Sequence, residues 1–467
     1  MHTLTHIELT IPLQQAINSE IANHFSVVPK DVSEHGLSFY FDNNRASELD
    51  VIQEELGLIL NKEISLELTN SDAIHKALST YYRLNTTSSK IQVSYSNSFL
   101  EELIFEAKNI EASDIHIEVY EDNARVRLRI DGQLIEKKHI EKENYNELIN
   151  QIKIKSNLDI TEKRLPQDGR IEYEDFDIRV SILPTHHGEK VVMRILGRDA
   201  SNLNIAELGL AENDLSTYLE SVKKSNGIVL ISGPTGSGKT TTLYATLKYL
   251  NNINRNIVTV EDPIEYTLKG INQVQLKENI GLSFTSALRS FLRQDPDIIM
   301  LGEIRDAQTA QMAIRASLTG HLVLSTIHTN SAIGTISRLV DMDVPSFLLA
   351  ETINASVAQR LVRTLCSHCK EETVFNPEDL PKTFKLEKTI STHYVAKGCQ
   401  KCYHTGYKGR RAIYEILPMT SETILAIKND TLEQSGLLKG CRLSDKALEL
   451  FEQGITSLDE IYAILIN

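Results

Sequence analysis

Residues 231–241 read ISGPTGSGKTT, and this stretch decides the fold. The apolar run Gly227-Ile-Val-Leu-Ile-Ser232 precedes it and a helix-compatible segment follows, so GxxxxGK[ST] stands in the strand–loop–helix setting the pattern needs. Backbone N–H groups of such a loop converge with the first turn of the helix on one point and attract phosphate there. Gly233, Pro234, Thr235, Gly236, Ser237, Gly238, Lys239, Thr240 and Thr241 are therefore read as the phosphate-binding residues. Lys239 is expected to reach the outer phosphates of ATP, and the Thr240 hydroxyl to take one position on Mg²⁺. The competing reading is a plain glycine turn, and the strand and helix on either side weigh against it.

Working outward, Ile257-Val-Thr-Val260, Ile298-Ile-Met-Leu301 and Leu322-Val-Leu-Ser-Thr326 are further short apolar runs alternating with helical patterns. Runs of this kind suit a buried, mainly parallel sheet. Glu303 sits just past the second run and is expected beside the metal. Glu261, Asp262 and Glu265 follow the first run, where a carboxylate can hold and deprotonate a water. One of them is the general-base candidate, and the residues alone leave Glu261 and Glu265 tied. A solvated loop is the bland alternative for such an acidic cluster, but a neighbouring phosphate loop outweighs it.

The 467 residues exceed what one core usually serves, which predicts several domains. A composition of 41% hydrophobic and 24% charged residues is that of folded globular protein. The net charge of −14 would repel nucleic acid phosphates over most of the surface. No basic-then-apolar leader opens the chain, and no run of about 18 apolar residues is long enough for a bilayer span, which predicts a cytoplasmic protein.

Residues 1–82 mix helical patterning (13–25 and 48–60) with a strand-like run at 37–41 and carry no chemical motif, as expected of a small α/β docking domain. Thr-Thr-Ser-Ser-Lys at 86–90 predicts a linker over 83–90. A mixed α/β middle domain follows over 91–205. Its clearest strand, 124–130, puts Arg125, Arg127 and Arg129 on one face and Val126, Leu128 and Ile130 on the other, and Asp131-Gly132 supplies a hairpin turn. Strands are expected at 170–174, 176–183 and 191–195, the last ending before Gly197. The nucleotide domain occupies 206–467, with C-terminal helices from 415.

Four of the five cysteines form two CxxC pairs, Cys366/Cys369 and Cys399/Cys402, separated by 29 residues inside an element at 364–405. Four thiolates so arranged suit a closed structural Zn²⁺ site. His368 and His404 are alternative ligands, and a redox pair is the other reading. Cys441 is left over as an expected buried thiol.

The phosphate loop, Glu261-Asp-Pro-Ile-Glu265, Leu301-Gly-Glu-Ile-Arg-Asp306 and Thr319-Gly-His-Leu-Val-Leu-Ser-Thr-Ile-His-Thr329 occur in this order. With Ala112-Ser-Asp-Ile-His-Ile-Glu118 and Leu165-Pro-Gln-Asp-Gly-Arg-Ile171, they make the chain resemble the ATPases of type II secretion and type IV pilus assembly over about 85–467. The resemblance implies a RecA-like C-terminal domain, a PAS-like middle domain and a homo-hexamer hydrolysing ATP. It also implies that Glu265 polarises the attacking water, that Glu303 is the acid of the Walker B strand, and that His321 and His328 form a box sensing the γ-phosphate. Arg179 and Arg194 would reach the nucleotide from the middle domain, with Arg289 and Arg293 supporting the site. Strand-face salt bridges are the alternative for Arg179 and Arg194, and structural roles for the histidines.

The partners implied are the cytoplasmic domain of an inner-membrane secretion platform protein, bound through residues 1–82, and a polytopic platform protein. They would hold the chain peripherally at the inner membrane. The short N-terminal region favours type II secretion, with type IV pilus extension as the alternative. A nucleic-acid-translocating motor is disfavoured by the charge and the absence of Trp, and a non-hydrolysing scaffold by the presence of Glu265, Glu303, Arg179 and Arg194.

Overall fold

In the computed structural model the described residues are 7, 9–14, 16–17, 19–32, 36–60, 62–82, 97–197, 203–386 and 390–466. The linker expected at 83–90 lies outside them. The chain forms two compact units. One holds the N-terminal fold with the cysteine segments 365–373 and 394–408, and the other holds the middle and nucleotide folds.

The N-terminal fold is a three-stranded sheet of Val27–Val32 (β1), Gly36–Asp42 (β2) and Glu63–Thr69 (β3) in sequence order, with β1 antiparallel and β3 parallel to β2. The helices Leu49–Leu60 and Ser71–Tyr81 cover it and bury Phe39, Phe41, Leu56 and Ile74. The helical reading at 13–25 is divided in the structure between Ile11–Gln14 and Ser19–Phe25.

The middle fold is a six-stranded sheet of Asp114–Val119 (β4), Ala124–Ile130 (β5), Gln133–Ile140 (β6), Gln167–Glu172 (β7), Phe176–Thr185 (β8) and Gly188–Gly197 (β9), in the order β6-β5-β4-β9-β8-β7. The Asp131-Gly132 turn has both residues at positive φ, 49° and 86°, which is the geometry a two-residue hairpin needs. Ile115, Ile117, Val126 and Leu128 point to one face, where Leu100, Leu103, Ile149 and Ile152 of two helices cover them. The opposite face is charged. Glu118, 5% exposed, receives Arg127 at 2.7 Å, Lys190 at 3.0 Å and Arg125 at 3.1 Å.

The nucleotide fold contains a seven-stranded sheet. It uses Gly227–Ser232 (β10), Ile257–Glu261 (β11), Asn272–Gln275 (β12), Ile298–Leu301 (β13), Leu322–Ile327 (β14), Ile353–Leu365 (β15) and Tyr407–Pro418 (β18), in the order β12-β11-β13-β14-β10-β15-β18. Lys370–Val374 (β16) and Thr392–Ala396 (β17) pair separately. β10 is parallel to both neighbours, β14 and β15, and is buried along its whole length, which is why it reads as an uninterrupted apolar run. Residue 415, expected to open the C-terminal helices, lies in β18. Its buried carboxylate accepts from Ala332 N at 2.7 Å and Leu443 N at 3.0 Å, holding the first residues of two helices. No described helix is long and apolar enough to cross a membrane.

Burial works to raise the Glu118 pKa, but hydrogen bonds from Arg127, Lys190 and Arg125 outweigh it and hold the carboxyl at about 2, against an ordinary 4.5. Because the folded value is the lower one, the stabilisation is present above pH 4.5 and is lost as the pH falls toward 2. Glu118→Gln is expected to remove roughly 3 kcal/mol at neutral pH and to flatten the acid limb of the stability curve. Urea melts of both proteins at pH 7 and pH 3 check this, and equal acid sensitivity in the two would contradict it.

Candidate nucleotide site and metal centre

A parallel sheet sends all its carboxyl ends to one edge, and ligands of open α/β sheets bind there. The phosphate loop leaves β10 at that edge and enters the helix Lys239–Leu250 through Gly238 at φ 88°. Gly233 has φ 147°, and a Cβ there would lie 2.5 Å from Gln359 O, so both space and backbone conformation require glycine. Pro234, Thr235, Gly236, Thr240 and Thr241 are exposed, whereas Ser237 is buried at 3%. Lys239 Nζ donates to Gly233 O at 2.8 Å and Pro234 O at 3.0 Å, drawing the loop around the amine. Burial pushes the Lys239 pKa down, Glu303 opposes that, and Arg360 adds to it.

Glu303 follows β13 at the same edge. Its segment is held by Thr326 Oγ1 on Gly302 O at 2.7 Å and by Ile304 N on Thr326 O at 2.9 Å. Arg305 donates to one Glu303 oxygen, and His328 Nε2 lies 3.4 Å from the other. Glu303 therefore lies against His328 and within electrostatic reach of Lys239. Thr240 in the first helical turn and Glu303 offer the oxygen donors that a hard cation such as Mg²⁺ takes.

Hydrogen bonding distinguishes Glu261 from Glu265. The Glu261 side chain, 3% exposed, accepts from Tyr244, from Thr259 Oγ1 at 2.5 Å and from Gln273 Nε2 at 3.1 Å. A carboxylate engaged in this way braces its loop and is unsuited to taking a proton from water. Glu265 is half-buried and no described side chain donates to its carboxylate. Its backbone N donates to Tyr244 Oη at 3.2 Å, and its charge adds to the Asp114 hydrogen bond and charge that raise the Arg194 pKa against burial.

Arg194 and Arg179 stand opposite each other on β9 and β8, and Asp114 on β4 faces Arg194. Arg194 Nε donates to Asp114 Oδ1 at 2.8 Å. Arg179 makes no ion pair with any described carboxylate. Two partly exposed guanidiniums therefore sit side by side on the charged face of the middle sheet.

Two expectations are corrected. His321 and His328 do not form one box, because they bracket the six-residue strand β14 and lie about 20 Å apart. His321 is at the amino edge, where its Nδ1 meets Ala316 O at 2.9 Å and Thr319 Oγ1 at 3.2 Å. Arg289 and Arg293 are also at the amino edge, exposed near the end of the helix Phe284–Phe291 that returns from the phosphate edge. The segment after them is tied to the start of β11 by Asn256 Nδ2 on Gln294 O at 2.7 Å, so neither arginine reaches the phosphate loop of its own chain.

Sequence reasoning missed Gln359 and Arg360 on β15, whose only signal was a polar pair within an apolar run. Gln359, 2% exposed, accepts from Thr242 Oγ1 at 2.9 Å beneath the loop. Arg360 bonds Asn330 O at 3.0 Å and Asn330 Oδ1 at 3.2 Å, joining the edge of the phosphate loop to the segment after His328.

The cysteine element brings Cys366, Cys369, Cys399 and Cys402 together, with all four sulfurs within 4.8 Å of one another. Measured edges are 3.9 Å for 366–399, 3.7 Å for 369–402 and 3.7 Å for 399–402. A tetrahedron of thiolates at the usual zinc–sulfur distance has an edge of about 3.8 Å, so the donor set fits Zn²⁺ and no pair is a disulfide. Cys399 N and Gly406 N donate to Cys402 Sγ at 3.1 and 3.3 Å, the outer support such a site needs. His368 and His404 stay outside the cluster. Cys441, expected to be buried, is exposed in the turn before the helix Leu443–Glu452, whose apolar face is carried by Leu443 and Ala447 instead.

Known proteins are similar to this chain over most of its length. The chain is 45% identical over 370 residues to the type II secretion system protein E of Pseudomonas aeruginosa, spanning 78% of this chain and 74% of that protein. It is 44% identical over 377 residues to the type II secretion system ATPase E of Vibrio cholerae, covering 79% and 74% of the two chains. It is also 44% identical over 379 residues to the type IV pilus assembly ATPase PilB of Myxococcus xanthus, covering 77% and 66%. Among solved structures, the pilus retraction motor PilT with bound ADP superimposes with a TM-score of 0.54 at 27% identity, covering 77% of this chain and 94% of that one. The ATPase DotB of Legionella pneumophila shares the fold with a TM-score of 0.59 at 22% identity, over 81% of this chain and 98% of that one. The family described as Type II/IV secretion system protein matches residues 91–463, and the chain belongs to it.

Proposed function

We propose that this chain is the Mg-ATP-hydrolysing motor subunit of a type II secretion system, working as a homo-hexamer in the cytoplasm. The observation that carries the reading is the meeting of Lys239, Glu303 and His328 at the carboxyl edge of the sheet, beside a loop built for phosphate. The names of the 45%- and 44%-identical relatives supply the secretion system. The Myxococcus relative keeps type IV pilus assembly as the second reading.

In this mechanism the loop N–H groups and Lys239 hold the β- and γ-phosphates. Thr240 and Glu303 hold Mg²⁺, which when bound neutralises charge on the triphosphate oxygens. Glu265 orients a water and takes its proton as the water oxygen bonds to the γ-phosphorus and the bridge to ADP breaks. Arg179 and Arg194 stabilise charge on the transferring group. An arginine in this role is worth about 10³ to 10⁵ in rate, so movement of the middle fold against the nucleotide fold gates the chemistry. His328 reports on the γ-phosphate through Glu303. The four cysteines hold a structural Zn²⁺, and residues 1–82 dock on the cytoplasmic part of an inner-membrane platform protein, placing the motor beside a polytopic platform component.

Glu303→Gln is expected to bind ATP without turnover and Lys239→Ala to lose binding, measured with a labelled nucleotide and by phosphate release; normal hydrolysis by either contradicts the site. Enforced hexamerisation should raise specific activity, and rates independent of assembly would count against arginine delivery by closure. Elemental analysis should give one zinc per chain, and Cys399→Ser should lose the metal and lower the melting temperature. In the source bacterium, Lys239→Ala should abolish exoprotein secretion and leave pili intact. The reverse outcome would transfer the protein to pilus assembly.

A further inference from the structure

The charged face of the middle sheet holds a carboxylate that the mechanism above leaves without a task. Asp114 is 4% exposed and stands in register with Arg129 on one side and Arg194 on the other. Its Oδ1 accepts Arg194 Nε at 2.8 Å. Its Oδ2 accepts Ser113 Oγ at 2.8 Å and lies 3.4 Å from Arg129 Nε. A buried carboxylate is costly unless paired, and here the pairs are asymmetric. Arg129 is turned back on its own hairpin, with Nη1 on Gly132 O at 2.8 Å. Arg194 has a side chain that is 56% exposed, and no described residue accepts from its Nη1 or Nη2.

The ion pair thus takes the inner nitrogen of Arg194 and leaves the outer fork open. Arginine side chains carry large rotamer entropy, which a half-exposed guanidinium would lose on meeting a phosphate. Fixing Nε beforehand removes much of that loss and aims the fork. After the Asp114 hydrogen bond, the charge of Glu265 also acts on Arg194, so the guanidinium lies within electrostatic range of the carboxylate proposed to handle the water.

We infer that Asp114 is a positioning residue that holds Arg194 by its Nε, so that Nη1 and Nη2 meet the transferring phosphate already oriented. This rests on the reading of Arg194 as a nucleotide-contacting residue. Ser113 fixes the Asp114 carboxylate in turn through its hydroxyl, and Arg129 places a second positive charge 3.4 Å from the other side of the ion pair.

The test is steady-state ATP hydrolysis by the assembled full-length protein carrying Asp114→Asn, Arg194→Gln or both, with melting temperature and assembly recorded for each. Asp114→Asn is expected to lower kcat by about 10- to 100-fold with little change in KM, and to have no further effect when Arg194 is already Gln. Asp114→Glu should recover part of the loss. Arg194→Lys, on an exposed side chain that does not threaten folding, keeps the charge but lacks the held nitrogen and should lose nearly as much as Arg194→Gln. Wild-type turnover in Arg194→Gln would overturn the reading of Arg194 and this inference with it. An inactive Arg194→Gln beside a fully active Asp114→Asn or Arg194→Lys would overturn the inference alone. Equal losses from Asp114→Asn in both backgrounds would reduce Asp114 to a structural ion pair and also overturn it.

Discussion

Everything at the nucleotide site depends on β10 lying buried between two parallel neighbours. Its six residues have no solvent-facing side, so they are apolar or small, and the chain can change direction only at the ends. At the carboxyl end the turn is so tight that Gly233 lies against the backbone of Gln359, and the next helix starts with its unpaired N–H groups facing outward. Phosphate affinity is thus a consequence of sheet packing. The same parallel arrangement brings the segments after β11, β13 and β14 to that edge, which is why Glu265, Glu303 and His328 share a neighbourhood despite their separation in sequence.

The middle fold contributes charge on a rigid surface. Its sheet buries one face under two helices, and the other carries alternate residues of β4, β5, β8 and β9, largely Arg, Lys, Asp and Glu. Two buried carboxylates there are outnumbered by cations: Glu118 by Arg125, Arg127 and Lys190, and Asp114 by Arg129 and Arg194. The surplus is positive, and it is carried on strands whose register fixes where each guanidinium starts. A transferring phosphoryl group needs positive charge that arrives in a set place, and a pleated sheet provides that better than a loop.

The cysteine element follows a different logic. Four sulfurs lie within 4.8 Å of one another in a short segment, and backbone N–H groups directed at Cys402 complete the arrangement. Both CxxC pairs were legible because a four-thiolate donor set of the kind that suits Zn²⁺ uses short spacings that can be read directly in sequence.

Sequence alone determined what local geometry dictates: the phosphate loop with its flanking strand and helix, the Asp131-Gly132 hairpin, the alternating faces of β5, the acid after β13 and the tetracysteine set. In each, the residues that act together are neighbours or are set by a short period. Only the tertiary structure decided which end of a strand a residue occupies and what its side chain already holds. It separated His321 from His328 by the length of β14, took Arg289 and Arg293 to the amino edge, engaged Glu261 in three hydrogen bonds so that Glu265 stays available, and set Asp114, Gln359 and Arg360 beside residues far away in sequence. The physical reason is that strand direction and hydrogen-bond occupancy are properties of the packed sheet, and a one-dimensional pattern carries neither.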